Sequence, residues 1–489
     1  MFNAPHIDYH AFAPEIILTA TIVVLLLVDL LSERNKAWLP SIAGVGLLAA
    51  AVPVLTLAVD GADRSMFGDA YVVDNFALAL KALFLIAGYV VVLMSTNYIA
   101  EGDYWEGEYY LLLVSSILGM TIIASSRDLI TIFVALETLS IPAYMLAAWR
   151  KRDGKSNEAG LKYYLMGVFA SAVMLYGMSL IFGVTGSTVL RDIGASLGDK
   201  NEPVITLGVV FCVIGFAFKV SAVPFHTWVP DTYEGAPTPI TAFLSVLSKA
   251  AGFVAIIQLV FVGFFGQRDA WQPMFWALAA ASMTLGNLVA LRQTNIVRLF
   301  AYSSIAQGGY ILAPLAVAGT TGRAADSISA VVVYLLVYGA MNLGAFAIIL
   351  AVARKTRSGE ISSYAGLYEY APGLTVLMSV FLFALAGIPP LGGWFAKFQI
   401  FSATAGAGTG AGYVLAIVVG VNSVIALFYY ARIAQEMWFK PVADGDTTPI
   451  RVPVALRAAL AITAIVVVVI GIYPQLVARV GDMAQLALT

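Results

Sequence analysis

Lys219-Val-Ser-Ala-Val-Pro224-Phe-His226-Thr-Trp228-Val-Pro230 carries the end of an apolar run, 203–223, into an apolar continuation from Val223-Pro224 onward where prolines forbid a regular helix. An interrupted helix at membrane depth is tolerated only where protein or a watery cavity satisfies the freed amides. A second break, Gly387-Ile-Pro389-Pro390-Leu-Gly-Gly393, cuts the stretch from Pro372 to Ala405, which is too long for one ordinary span. Two broken helices predict a buried polar pathway.

Working outward from these breaks, apolar runs fill the chain almost end to end. A bilayer core about 30 Å thick needs roughly 20 apolar residues per helix. Runs near 14–31, 39–59, 73–97, 109–125, 128–149, 158–183, 203–223, 239–264, 272–291, 296–318, 327–353, 373–405, 411–437 and 453–476 supply about fourteen spans. With 60% hydrophobic and 11% charged residues the chain leaves no room for a soluble domain. The fold class is an all-α polytopic membrane protein, with residues 1–489 forming a single transmembrane domain. Within it, 1–107 is a three-helix segment and 450–489 carries a C-terminal helix. Helices four to eight (108–264) and nine to thirteen (270–437) read as two repeats. Five helices is an odd offset, so the copies are inverted, with breaks in helices seven and twelve.

The 27 basic residues are scattered over short connections and the net charge is -2, which excludes a nucleic-acid surface. Cys212 is the one cysteine, so thiolate-ligated clusters and internal disulfides are excluded. Histidines occur only at 6, 10 and 226 (His6, His10, His226), too few and too badly placed for a haem between spans. The chain is expected to carry no catalytic redox centre and no metal. Met1 to Ala13 lacks a basic n-region and does not read as a cleaved signal peptide. Fifteen Lys and Arg, from Arg34 to Arg457, lie on the side of the odd-to-even connections against seven on the other. The positive-inside rule then puts both termini in the periplasm of a bacterial inner membrane.

Five basic residues remain, Lys81, Lys162, Lys219, Lys249 and Lys397, and each falls inside a predicted span. A lysine at a helix centre costs roughly 2.5–3.5 kcal/mol on insertion scales, so such a set is functional by default. Lys81, two to three turns from its span's start, reads equally well as a snorkelling or statically paired group. Glu137, in Leu136-Glu137-Thr138-Leu139-Ser140-Ile141-Pro142, reads as the only carboxylate deep in any span, with Lys219 as its partner. At an effective dielectric near 20, two such charges about 4 Å apart attract by about 4 kcal/mol. Pair closure would then decide whether Lys219 holds its proton. Lys162, Lys219, Lys249 and Lys397 form a stepwise relay with intervening water. Ser221, Ser245, Ser248, Thr238 and Thr241 either order that water or satisfy helix carbonyls. His226 is a candidate proton shuttle or a histidine satisfying freed backbone groups. Asp231 and Glu234, with Pro237 and Pro239, read as a re-entry turn without chemistry.

The segment from Lys219 through Pro224, His226 and Trp228 to Pro239-Ile240, with Lys249-Ala-Ala-Gly252 beyond it, resembles the signature of the antiporter-like subunits of respiratory complex I. Ala386-Gly-Ile-Pro389-Pro390-Leu-Gly-Gly-Trp-Phe-Ala-Lys397 is similar to that family's twelfth-helix motif, and the fourteen-helix plan covers the whole chain. The length fits the N-type and not the larger L-type. Lys397 is similar to the N- and L-type pattern, where the M-type carries glutamate. The resemblance implies a proton-translocating subunit of NADH:quinone oxidoreductase. Glu137 and Lys219 would form the first half-channel pair modulated by Lys162, Lys249 the central connector, and Lys397 the second half-channel. It also implies partners: other antiporter-like and small membrane subunits, and a peripheral arm in which NADH, FMN, iron-sulfur clusters and quinone react. A subunit of a multi-subunit sodium/proton antiporter shares the motifs, and a quinone reductase drawing on ferredoxin is a near relative. A scaffold whose charges only hold helices together is the reading from a different class.

Overall fold

The computed structural model describes residues 7–31, 36–61, 63–102, 106–198, 200, 202–319, 323–442, 445–484 and 486; His6 and Arg34 lie outside them. We number the spans in chain order. The first six are α1 (Ala13–Leu31), α2 (Leu39–Asp60), α3 (Asn75–Glu101), α4 (Glu106–Ser125), α5 (Leu129–Ala147) and α6 (Gly154–Thr185). Then come α7 (Pro203–Lys219), α8 (Thr238–Gly263), α9 (Arg268–Ala290), α10 (Ile296–Leu315) and α11 (Ala324–Thr356). The last are α12 in two halves (Pro372–Ala386 and Gly392–Gly406), α13 (Gly410–Phe439) and α14 (Val454–Ile472). Eleven helices among the described residues are long and apolar enough to cross a membrane. The shorter apolar α7 and first half of α12, and α10, complete the polytopic all-α plan.

The spans sort by burial. α8 is enclosed by protein along nearly its whole length and α10 and α11 along most of theirs, whereas α1, α6, α13 and α14 leave broad apolar faces outside. A helix that touches no lipid is released from the demand for an apolar surface. This is why α10 accommodates Ser303, Ser304 and Gln307. α8 is not regular: π-helical turns at Leu244–Ser248 and Leu259–Gly263 flank its α-helical middle, Lys249–Gln258. Among the described residues the all-α expectation misses a hairpin of three-residue strands, Arg64–Met66 with Tyr71–Val73.

Helix pairs α4–α5 and α9–α10 are built alike. Asp128 caps α5 by accepting from Thr131 N at 2.9 Å, and Asn295 caps α10 by accepting from Val297 N at 2.9 Å. Gly119 of α4 lies on Ala135 O and Leu139 N of α5; Gly286 of α9 lies on Tyr302 O and Ala306 N of α10, at the same spacing from the cap. A Cβ on either glycine would fall within 2.8 Å of those backbone atoms. Small residues here let two backbones touch where no hydrophobic force between helices operates.

Both expected breaks are present, with shifted edges. α7 ends at Lys219, not near Val223, because Ser221 turns left-handed (φ 63°) and Ala222 N bonds back to Ala217 O at 2.8 Å. The freed backbone is satisfied by protein: Ser282 Oγ accepts from Val223 N at 2.9 Å, and Phe218 O accepts from Trp228 Nε1 at 3.3 Å. The chain resumes as a short helix, Val229–Gly235, where a turn was expected. In α12, Gly387 (φ 90°) closes the first half, and the second half docks so tightly that a Cβ on Gly393 would lie 1.8 Å from Ala384 O. Gly393→Ala is expected to force these halves apart. The overpacking costs about 1–3 kcal/mol, read as a lowered melting temperature of the purified protein.

Candidate proton pathway

Lys219, Lys249 and Lys397 are 4%, 1% and 8% exposed. Lys219 ends α7 and reaches back to α5, donating to Ser140 Oγ at 2.8 Å and to Tyr163 OH of α6 at 3.5 Å. Tyr163 stacks on Trp228 of the break, centroids 4.4 Å apart, and its hydroxyl lies 3.5 Å from Ser248 Oγ. Ser248 precedes Lys249, whose ammonium donates to Ser304 O and Ser304 Oγ of α10, both at 2.5 Å. Lys249 thereby joins the last span of 108–264 to 270–437. Lys397, in the second half of α12, folds back over the break. It donates to Ala386 O at 3.0 Å and lies 4.7 Å from the ring centre of Tyr310.

The two breaks solve one problem in different ways. Lys219 sits within the last turn before its break, whereas Lys397 comes after its own and returns to the carbonyl at that same helix end. The Lys397 ammonium thus sits at a helix C-terminus, where unpaired carbonyls concentrate partial negative charge, whereas that of Lys219 reaches away from its own helix end to hydroxyls of α5 and α6. Among the described residues, none of the three touches a carboxylate. Their ligands are neutral hydroxyl and carbonyl oxygens.

Glu137 does not meet Lys219 directly. Its Oε1 accepts from Ser171 Oγ of α6 at 2.6 Å instead. Nor is it the only carboxylate inside a span. Glu15, 2% exposed in the first turn of α1, pairs with the fully buried Lys81 at 2.9 Å, and Tyr71 OH accepts from the same ammonium at 2.9 Å. Tyr71 of the hairpin and Lys81 of α3 thereby cover the first turn of α1. A neighbouring buried pair, Arg127 with Asp74 at 2.7 Å, lies on the same side.

Lys162 is not buried: its side chain is 42% exposed, about two turns from the start of α6 at Gly154. It contacts Glu158 and Asp231, each at 2.6 Å. Asp231 and Glu234, expected to be inert, both bind Arg298 Nη1 at 2.9 Å, and Glu234 also holds Lys155 at 2.9 Å. The short helix after the first break is therefore tied to α6 on one side and α10 on the other. In the break itself His226 is half-buried, and its carbonyl accepts from Val229 N at 2.9 Å. Of the hydroxyls expected beside the lysines, Thr241 bonds Tyr233 O and Ser245 accepts from Asn342 Nδ2 at 2.7 Å.

Neutral groups that carry no charge signal in the sequence fill the interval between Lys249 and Lys397. Tyr338 OH donates to Ser304 Oγ at 3.2 Å, Ser303 Oγ and Tyr430 OH are 2.6 Å apart, and Gln307 bonds Tyr334 and Tyr430. Asn287 binds Tyr310 OH at 3.2 Å and accepts from Tyr429 OH at 3.0 Å. These buried polar groups are each paired, in three adjoining clusters centred on Ser304, Gln307 and Asn287.

A family described as NADH:quinone oxidoreductase/Mrp antiporter, transmembrane, matches residues 126–426, which hold Glu137 and four of the five lysines. The chain is 40% identical over 485 residues to the NADH-quinone oxidoreductase subunit N of Trichlorobacter lovleyi, covering 98% of this chain and 97% of that one. It is 40% identical over 475 residues to the NAD(P)H-quinone oxidoreductase subunit 2 of Gloeobacter violaceus, covering 95% and 90%. A chain in the structure of respiratory complex I from Thermus thermophilus with bound aureothin matches at TM-score 0.79 and 31% identity, over 95% of this chain and 98% of that one. A chain of the Mrp complex from Dietzia sp. DQ12-45-1b matches at TM-score 0.86 and 20% identity, over 98% and 97%, a likeness of fold. Sequence and fold together make this chain a member of the NADH:quinone oxidoreductase/Mrp antiporter transmembrane family.

Proposed function

We propose that the chain is the N-type proton-translocating subunit of NADH:quinone oxidoreductase, passing protons through Glu137, Lys162, Lys219, Lys249 and Lys397 under the drive of quinone reduction elsewhere in the complex. The observation that carries this reading is that Lys219, Lys249 and Lys397 are buried on neutral oxygens alone. An ammonium locked to a carboxylate, as Lys81 is, must break an ion pair before it can lose a proton. One held by hydroxyls and carbonyls gives up only charge-assisted hydrogen bonds, worth about 1.5–3 kcal/mol each. Relatives of both the oxidoreductase and the Mrp type share the fold, and the higher identities over nearly the full length are to oxidoreductase subunits.

Partners follow from Glu137. It lies half-buried on α5 in line with Ile130, Val134 and Ile141, which are 62%, 56% and 52% exposed. A carboxylate in an outward apolar stripe at mid-span is costly against lipid. A neighbouring membrane subunit on this face supplies the polar cover. The redox cofactors, NADH, FMN, iron-sulfur clusters and quinone, belong to partner subunits of the peripheral arm and its junction with the membrane. The matched glycine, cap and break features support two inverted repeats, 108–264 and 270–437. The excess of basic residues on the odd-to-even side supports a bacterial inner membrane with both termini periplasmic.

The test is made on the complex purified from its native membrane. Co-purification of flavin and iron-sulfur proteins is expected, and an assembly without them favours a sodium/proton antiporter. In vesicles, Lys219→Ala and Glu137→Gln are each expected to lower the proton-to-electron ratio of an assembled complex. Full assembly with the wild-type ratio in both variants ends the relay assignment. Disturbed assembly with unchanged pumping would support a scaffold.

A further inference from the structure

We infer that Gln307 is a positioning residue that interrupts the path between Lys249 and Lys397, so that protons cross there only during turnover. The inference rests on the translocation reading above. α10 presents Ser304, Gln307 and Tyr310 at three-residue spacing, on one face of the helix. Lys249 is bound at the first and Lys397 lies over the third. Gln307, fully buried, occupies the middle, and its Nε2 donates to Leu385 O at 3.5 Å, next to the Ala386 carbonyl that holds Lys397.

On either side of Gln307 the groups are hydroxyls. Its Oε1 accepts from Tyr334 OH and its Nε2 donates to Tyr430 OH at 3.3 Å; beyond these lie Tyr338 with Ser304, and Ser303 with Tyr430. A hydroxyl accepts a proton on one lone pair while releasing its own, and so hands charge along a chain. A carboxamide has its donors and acceptor on different atoms. To pass a proton from Tyr334 to Tyr430 it must first become an imidic acid. The first half of the protein makes the opposite choice: at the same distance from the cap of α5 stands Ser140, a hydroxyl, and it receives Lys219. The interruption is therefore specific to the segment between Lys249 and Lys397. With the amide in place a resting complex keeps its half-channels separate.

The experiment uses the intact complex reconstituted in proteoliposomes, with Gln307→Glu and Gln307→Met compared with wild type. A carboxylic acid takes a proton on one oxygen and releases one from the other, so Gln307→Glu restores the missing step. Its passive proton leak under an imposed pH gradient without NADH is expected to rise about tenfold, equivalent to about 1.4 kcal/mol off the barrier. Its proton-to-electron ratio falls while quinone reduction continues. Gln307→Met, which keeps the volume and carries no proton, is expected to show the wild-type leak. A structural role alone would move both variants together, and equal leak in both overturns the inference, as does wild-type leak and ratio in a Gln307→Glu complex with its full flavin content. Failure of the wild-type vesicles to acidify with NADH and quinone would instead overturn the translocation reading.

Discussion

Proton translocation is expected to fall by an order of magnitude or more when Lys249 is replaced by methionine, with the complex still assembled. Among the described residues Lys249 is the one ammonium of α8 bound by α10, so none of them offers an alternative basic group across that junction. Its loss leaves Ser304 O and Oγ without one donor. A neutral acceptor left unpaired in a buried site costs about 1–3 kcal/mol, and Ser304 Oγ keeps the donor Tyr338. Methionine fills the volume without a charge to desolvate, which offsets part of that cost. Fold and chemistry therefore separate at this position. The measurement is quinone-reductase activity and acidification in the same vesicles, with assembly followed by native electrophoresis. A Lys249→Met complex that pumps at the wild-type ratio would remove the central connector from the pathway.

The opposite outcome is expected at Lys81. Lys81→Met strips the partner from Glu15, which stays 2% exposed with an uncompensated charge. Breaking a buried ion pair from one side destabilises by about 3–5 kcal/mol, whereas replacing both partners with apolar or neutral groups is often neutral. Lys81→Met alone is thus expected to reduce the assembled complex severely and to lower its melting temperature. Adding Glu15→Gln should recover most of the loss, with the proton-to-electron ratio of the double variant at the wild-type value. Tyr71 contributes to the same site, since its hydroxyl accepts from Lys81, and it anchors the hairpin over α1 and α3. A double variant as unstable as the single one, or one that assembles but fails to pump, would show that Lys81 is more than a structural tie.

How far the pathway was legible in the sequence depends on the kind of signal each residue carries. Lys219, Lys249 and Lys397 stand out because an ammonium in an apolar run has no cheap explanation, and all three are buried as expected. The breaks were legible because Pro224, Pro389 and Pro390 forbid a regular helix whatever surrounds them. Glu15 was missed because a carboxylate in a first helical turn ordinarily faces water; only the tertiary cover of the hairpin and α3 makes it buried. Lys162 failed because it stands only four residues into the expected run 158–183, near a span end where its ammonium reaches Glu158 and Asp231 outside the core. The direct Glu137–Lys219 contact is absent because Glu137 points along the outward stripe of α5, while Ser140, nearly one turn on, faces Lys219. The π turns around Lys249 leave no compositional mark. Gln307 and the tyrosines near it are uncharged, so they pass as ordinary core until neighbouring helices bring them together.

The return of Lys397 to Ala386 O would make one nitrogen, under the proposed relay, both a clasp and a carrier. Held as an ammonium, it fastens the free carbonyl end of the first half of α12 with a charge-assisted bond. As a neutral amine its grip is roughly half as strong. Under the relay reading, each departure of a proton slackens the seam between the half-helices and each arrival tightens it. Backbone order at the seam and occupancy of the site then rise and fall as a single variable, and mechanical work done on α12 is felt as a change in proton affinity without any intermediary.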